Sequence, residues 1–374
     1  MENGRENSRA PVIGIDASRA VSPRPTGTET YSLLLIQALL SLNPPWNIRF
    51  YFRQTPPENL FPQADLRVIP FPRLWTHIRL SLEMAHHPPD LLFVPAHVLP
   101  PIHPRRSLVT VHDLGYRYFP WAHTRFQRVY LDLSTRWNAR AATHVLAVSE
   151  ATRADLVRIY GIPPAKVTVA YPGYDESLAP VRDPAVLAAA RDRYGIPGEY
   201  FLYLGTLQPR KNLARLVEAF SRLPTRAVLV LAGQKGWLAD DLFALIRRLG
   251  LEGRVLCPGY VPPEDRAPLL GGALAFVLPS LYEGFGLPVL EAQACGCPVI
   301  CSNTSSLPEV AGDAALLVHP EDVAALSDAM ARLEDDPDLR RELVERGFAN
   351  LRRFSWERCA RTVLRVMEGL LEGN

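Results

Sequence analysis

Apolar residues in this chain come in short unbroken runs, each followed by a turn and then by a longer stretch of helical period. Runs of that kind read as strands buried on both faces, as in parallel sheets. One series comprises Pro11–Ile15, Ile48–Phe52, Leu91–Val94, Leu108–Val111, Val145–Val148 and Val167–Ala170. Helices are expected between them, over about Thr28–Leu42, Trp121–Arg140 and Glu150–Tyr160. Near Tyr171-Pro-Gly-Tyr-Asp175 this series closes, and a second begins. It runs through Tyr200–Leu204, Ala227–Leu231, Val255–Cys257, Ala273–Leu278, Val299–Cys301 and Ala315–Val318. Alternation of strand and helix implies parallel sheets wrapped by helices. The pattern predicts an α/β protein with two doubly wound, Rossmann-like domains, ligands sitting at the carboxyl ends of the strands.

Length agrees, since 374 residues exceed one comfortable core. An apolar content of 48% with 21% charged residues is that of a soluble globular protein. Met1 to Ala10 is polar without an apolar core, and no run reaches membrane-spanning length, so neither signal peptide nor span is expected. Five cysteines, an odd number, point to reduced thiols and a cytoplasmic setting. Cys295, Cys297 and Cys301 cluster, but they fall at a helix end and after a strand, where small buried residues are wanted. Asp336-Pro-Asp338 spells a metal motif, yet it lies between two helices and reads as a helix break. No metal is expected. Charge is uneven: residues 1–176 hold 19 Lys+Arg against 14 Asp+Glu, and the remainder 22 against 25. The halves therefore do different work, and the basic one suits an anionic partner.

The densest chemistry is Leu278-Pro-Ser-Leu-Tyr-Glu283-Gly284-Phe285-Gly286-Leu287-Pro288-Val-Leu-Glu291. It follows a buried strand. Gly284 and Gly286 allow close backbone approach, and Pro288 suits a first helical turn. The N–H groups of Phe285, Gly286 and Leu287 then lie at a helix start, where phosphate oxygens bind. Glu283 and Glu291 supply carboxylates that accept hydrogen bonds from sugar or ribose hydroxyls. A second strand exit reads Gly205-Thr206-Leu-Gln-Pro-Arg210-Lys211-Asn212. Gly205 permits a tight turn, and Arg210 and Lys211 bring positive charge to the same edge. Lysine occurs only at positions 166, 211 and 235, against 38 arginines. A compact ammonium at a strand end is a good neutraliser of a diphosphate leaving group. In the first half, Val111-His112-Asp113 ends a strand, and His112 can exchange a hydrogen bond with a sugar hydroxyl near neutral pH. His97 has a similar placement. Gly27 and Glu29, in Thr-Gly-Thr-Glu, open a helix whose start could approach phosphates.

Glu-x7-Glu within Glu-Gly-Phe-Gly-Leu-Pro-x-x-Glu-Ala, followed by Gly-x-Pro-Val-Ile, resembles the signature of the family 4 glycosyltransferases, retaining enzymes of GT-B fold. The resemblance extends over nearly the whole chain. It implies an acceptor-binding domain of residues 1–176 plus 353–374, the final helix (about Trp356–Leu371) crossing back, and a donor-binding domain of 177–352 facing it across a cleft. It assigns diphosphate binding to Lys211, donor-sugar contact to His112 and proximity to the nucleobase to Tyr260. Some members carry arginine directly after the glycine equivalent to Gly205; here Thr206 stands instead. The implied reaction moves a hexose from a nucleoside diphosphate sugar, a co-substrate rather than a cofactor, to a glycan or lipid-linked acceptor with retention. The Gly-Thr-Leu-Gln-Pro-Arg-Lys-Asn spelling leans toward mannose from GDP-mannose, with glucose from UDP-glucose next. A UDP-sugar 2-epimerase-like isomerase and a catalytically silent sugar-nucleotide-binding protein are the alternatives. A dehydrogenase is not expected, because no Gly-x-Gly-x-x-Gly follows the first strand, and no nucleic-acid partner is implied. On these roles, Glu283→Ala and Lys211→Ala are expected to fold normally and lose turnover.

One helix stands apart. Phe126, Val129, Tyr130, Leu133 and Trp137 form an apolar stripe with Arg125, Arg128, Arg136 and Arg140 nearby. Most such stripes face a core. The alternative is peripheral contact with anionic membrane at the inner face of the plasma membrane, which suits a lipid-linked acceptor.

Overall fold

The computed structural model describes residues 9–21, 27–58, 60–61, 65–71, 73–96, 98–236 and 240–373. His97 lies outside the described residues. The chain divides into two compact units. One takes the residues up to Leu114, Arg125–Pro172 and those from Trp356 onward; the other takes Gly115–Thr124 and Gly173–Ser355.

The first unit holds strands β1 (Val12–Asp16), β2 (Asn47–Phe52), β3 (Asp65–Val68), β4 (Leu91–Val94), β5 (Ser107–Val111), β6 (His144–Ala147) and β7 (Val167–Val169). They form one sheet in the order β3-β2-β1-β4-β5-β6-β7, every pairing parallel. β1, β4 and β5 are buried along their whole length, as their apolar runs require. β3 was not expected. All four of its residues are exposed, it pairs only with β2, and Arg49 Nε donates to Asp65 Oδ2 at 2.6 Å across that pair. An edge strand needs no apolar run, and charge keeps it from pairing further. The final helix, Trp356–Glu372, packs on the helix Gly27–Ser41 of the same unit, burying Cys359, Ala360, Val363 and Met367. Its Trp356 ring meets Tyr31 edge-on at 5.7 Å.

The helix expected over Trp121–Arg140 is instead two pieces. A 3-10 turn covers Pro120–Ala122, His123 is extended, and the α-helix runs from Arg125 to Ala141. The turn belongs with the second unit, where the Tyr118 ring stacks on Tyr282 at 5.1 Å.

The second unit holds β8 (Tyr200–Leu204), β9 (Val228–Ala232), β10 (Val255–Gly259), β11 (Ala275–Leu278), β12 (Val299–Ser302) and β13 (Leu316–Val318). Their order is β10-β9-β8-β11-β12-β13, again wholly parallel. In each sheet the order reverses beside the first strand, at β1/β4 and at β8/β11. In open α/β sheets ligands bind outside the carboxyl ends of the strands at such a point. The exits of β8 and β9 touch through backbone alone. Gly233 has φ +149°, and a Cβ built on it would lie 1.9 Å from Gly205 O, so no side chain fits.

Cys295, Cys297, Cys301 and Cys359 are buried, whereas Cys257 is exposed. Burial pushes the thiols of Cys295, Cys301 and Cys359 up to about 12. Asp336 caps the helix Pro337–Leu351 by accepting from Leu339 N at 2.9 Å, so this motif serves a helix start. Among the described residues no helix is long and apolar enough to cross a membrane.

Candidate functional site

The site is built where β8 and β11 end. After β8 the chain passes Gly205 and Thr206, makes a 3-10 turn over Pro209–Lys211, and enters the helix Leu213–Ser221. Asn212 joins turn and helix with φ +60°, a left-handed conformation that asparagine tolerates better than most residues. Its buried Nδ2 donates to Pro279 O at 3.0 Å and to Pro320 O at 2.6 Å. Leu281 N donates to Arg210 O at 3.0 Å. Asn212 thus ties the Lys211 turn to the loop leaving β11 and fixes Lys211 and Arg210 opposite Glu283.

Glu283 is only 7% exposed. Its Oε1 accepts from Lys211 Nζ at 2.5 Å and Ser280 Oγ at 2.6 Å, and its Oε2 accepts from Arg210 Nη1 at 3.1 Å. Arg210 Nη1 also donates to Tyr282 O. Burial acts to raise the Glu283 carboxyl, but the charges of Lys211 and Arg210 outweigh it and hold the group down at about 2. Two cations around one carboxylate leave a net charge of about +1 in a poorly solvated place, which favours an incoming anion. Arg210, ambiguous in the sequence, is a member of this cluster.

The loop is braced from behind by residues that sequence reasoning missed. Ser305 Oγ accepts from Glu283 N at 2.9 Å. The buried Ser306 hydroxyl lies 2.6 Å from Phe285 O and 3.0 Å from Glu283 O, serving both carbonyls. Both serines follow β12, and nothing in their local spelling marks them. Gly286 then turns the chain at φ +112° into the helix Leu287–Ala294, with Pro288 in its first turn and no side-chain cap. Of the N–H groups expected at a helix start, those of Phe285, Gly286 and Leu287, only the last lies within the helix, which begins at Leu287 with Gly286 as its N-cap, beside the cluster.

Glu291 lies in the second turn of that helix. It is half-buried, and burial raises its carboxyl, with Arg266 opposing and Asp175 reinforcing that shift. Gly205 has φ +150° and donates its N–H to Ala232 O at 2.9 Å; Thr206 is exposed, and its carbonyl accepts from Tyr203 Oη at 3.0 Å. Tyr260 is 53% exposed at the exit of β10, two strands from β8, a separation on the order of 10 Å. Gly259 before it, at φ +88°, accepts from Gly233 N at 2.7 Å.

His112 belongs to the first unit and directly follows β5. Its Nε2 lies 2.8 Å from Pro95 O, and a carbonyl can only accept, so Nε2 carries the proton. Burial lowers its pKa, which favours the neutral ring, with the Pro95 bond and Asp113 opposing. Nδ1 is then left as an acceptor. Tyr31 meets the ring edge-on at 4.8 Å, and Thr152 Oγ1 donates to His112 O at 3.3 Å. Ser149, which caps the helix Glu150–Tyr160, holds Thr152 N at 3.0 Å and so secures that support. Gly27 is the exposed first residue of its helix in the same unit.

Residues 190–349 match the family described as Glycosyl transferases group 1, and residues 25–178 match Glycosyltransferase Family 4. The chain is 38% identical over 259 residues to the O-antigen chain mannosyltransferase B of Escherichia coli, covering 68% of either chain. It is 28% identical over 283 residues to the serotype-specific mannosyltransferase WbdA of Escherichia coli, spanning 72% of this chain but only about a third (34%) of that relative. In fold it is similar to the sucrose-phosphate synthase of Thermosynechococcus elongatus, with a TM-score of 0.77, 23% identity and coverage of 98% of this chain and 100% of that one. Two parallel sheets of GT-B type, family matches over residues 25–178 and 190–349, and a relative sharing more than a third of its aligned residues show that the chain belongs to the family 4 glycosyltransferases.

Proposed function

We propose that the chain is a retaining hexosyltransferase that moves mannose from GDP-mannose to a glycan or lipid-linked acceptor in cell-surface polysaccharide assembly. The observation that carries the reading is the buried Lys211–Glu283–Arg210 cluster at the switch point of the second sheet. A diphosphate laid there meets a net positive cluster and the amide end of the helix Leu287–Ala294. Lys211 stabilises the charge that develops on the leaving diphosphate. Glu283 Oε2 accepts from Arg210 alone among the described bonds, so it has room for a donor-sugar hydroxyl. Glu291 takes the ribose, and the base extends along the strand exits toward Tyr260. His112, with Nδ1 as an acceptor, receives a hydroxyl of the transferred sugar. The departing phosphate accepts the acceptor's proton on the same face, which gives retention. Mannose is favoured by the Gly-Thr-Leu-Gln-Pro-Arg-Lys-Asn spelling, and the mannosyltransferase relatives support it.

Thermal-shift titration with GDP, UDP, GDP-mannose and UDP-glucose tests the donor, because a ligand bound only by the folded state raises its melting temperature. A shift with guanine nucleotides that exceeds the shift with uridine nucleotides is expected. A response to none of the four sinks the donor site. Release of an isomerised sugar without any acceptor would move the chain to the epimerase class.

A further inference from the structure

The apolar stripe on the helix Arg125–Ala141 does not face a core: Phe126 is 79% exposed, Leu133 60% and Val129 52%, so that expectation is overturned. A shorter aromatic segment precedes this helix. Tyr116, Tyr118, Phe119 and Trp121 fall within six positions, in Gly-Tyr-Arg-Tyr-Phe-Pro-Trp. They belong to Gly115–Thr124, which packs with the second unit although the chain on either side of it belongs to the first. The four rings differ in what covers them. Tyr116 is buried and Phe119 half-buried, whereas Tyr118 is 38% exposed and Trp121 57%. An exposed tryptophan forgoes much of the gain of burial, so a ring held outward calls for a reason. Here the turn holds it. Pro120 opens the 3-10 turn Pro120–Ala122, the buried Ala122 donates its N–H to Phe119 O at 3.0 Å, and Phe119 N donates to Gly115 O at 2.9 Å. The Phe119 ring meets Trp121 edge-on at 6.0 Å. The Trp121 indole N–H has no hydrogen-bond partner among the described residues. A flat apolar ring with a donor at its rim, presented on a pinned turn, is suited to holding a ligand.

Place identifies the ligand. The Tyr118 ring stacks on Tyr282 at 5.1 Å with 24° between the planes, and Tyr282 directly precedes Glu283. In the second sheet β11, which delivers Glu283, lies on the side of β8 away from β10, which delivers Tyr260. β10 and β11 stand three strand positions apart, a separation on the order of 14 Å. The subsite rests on the donor reading for the direction in which the nucleotide runs. With the base toward Tyr260 and the diphosphate at Lys211, the transferred sugar and the group that receives it lie at the Glu283 end. A nucleobase, the other flat partner of an aromatic ring, belongs at the opposite end. The remaining candidate is the acceptor. A pyranose has a face of C–H groups that lies flat on an aromatic ring, and rim hydroxyls that accept from an indole N–H. The segment Gly115–Thr124 carries one arginine and no carboxylate, so a neutral sugar meets little competing charge. We propose that Trp121 is an acceptor subsite on which one sugar of a glycan stacks.

The test is titration of the full chain with α-linked mannotriose, read by saturation-transfer NMR without nucleotide, beside a thermal-shift titration with GDP-mannose. The parent should bind the trisaccharide. Trp121→Ala should weaken that binding about five- to tenfold, the loss expected for one aromatic contact, and Trp121→Phe should recover most of it. The GDP-mannose shift should be the same in all three proteins. The ring is exposed, so melting temperatures without ligand should also match. Trisaccharide binding that Trp121→Ala retains in full overturns the subsite. So does a parent that responds to GDP-mannose but binds no trisaccharide, an outcome that leaves the donor reading standing. The reverse outcome, a trisaccharide bound through Trp121 by a chain that responds to no nucleotide, keeps the glycan contact and sinks the donor reading. Pelleting with phospholipid vesicles that Trp121→Ala abolishes, with no trisaccharide bound, overturns the subsite in favour of a lipid surface.

Discussion

Replacing Glu283 by glutamine removes the one negative charge between Lys211 and Arg210 while keeping nearly the same volume. The carboxyl sits at about 2 instead of its ordinary 4.5, which at roughly 1.4 kcal/mol per pKa unit corresponds to about 3 kcal/mol of stability at neutral pH. Breaking one partner out of a buried ion pair costs about 3–5 kcal/mol, because the remaining charge is left uncompensated. An amide oxygen still accepts one bond, so the lower figure applies. Glu283→Gln should therefore lose about 3 kcal/mol, or about 6–12 °C of apparent Tm for a unit of this size. This revises the sequence-based expectation that Glu283→Ala folds normally: alanine would strand both cations. The sign with pH is fixed by the depressed pKa. The native protein binds fewer protons than the unfolded chain between about 4.5 and 2, so the contribution is complete above 4.5 and fades as pH falls through that window. Urea titrations of parent and variant at pH 7, and in steps downward from pH 5, read both quantities. A variant as stable as its parent at pH 7 would refute the reasoning. So would a gap between them that acid leaves unchanged.

Ser306→Ala should cost about 1–3 kcal/mol, because two buried carbonyls lose their donor; donor KM should rise more than kcat falls, and an unchanged KM would mean the serine does not brace the phosphate loop. For His112, burial lowers the pKa from 6.5, so activity should stay level down to that value and fall only at more acidic pH, as the ring takes up a proton and Nδ1 stops accepting. In His112→Asn the acid limb of kcat/KM should vanish along with most of the turnover, and a limb that persists would belong to another group.

What the sequence made legible was burial on both faces. β4, β9 and β11 are apolar throughout and β1 and β5 mostly so, all five buried along their length, and their runs could be read directly. β3 escaped because an exposed edge strand has no such run, and Asp65 and Arg67 read as loop. The stripe on Arg125–Ala141 shows a different limit. Periodicity reports that a helix has an apolar side, but not whether its own fold covers that side. At the candidate site, the strand exits placed Lys211 and Glu283 near one edge, whereas their mutual pairing came from contacts across 72 positions of sequence. Asn212 carried a faint signal, an asparagine poised before an apolar helix. Ser305 and Ser306 carried none, being recruited from the next strand exit.

Of the five cysteines, four are enclosed with thiols shifted far up, and the exposed Cys257 is itself raised to about 11 by its surroundings. Thiolate, the reactive form, is therefore scarce at every position near neutral pH. The native protein should tolerate air and disulfide reagents well, and mildly alkaline labelling should modify a single position. That position lies three residues before Tyr260, so under the proposed donor reading a fluorophore there should report nucleotide arrival.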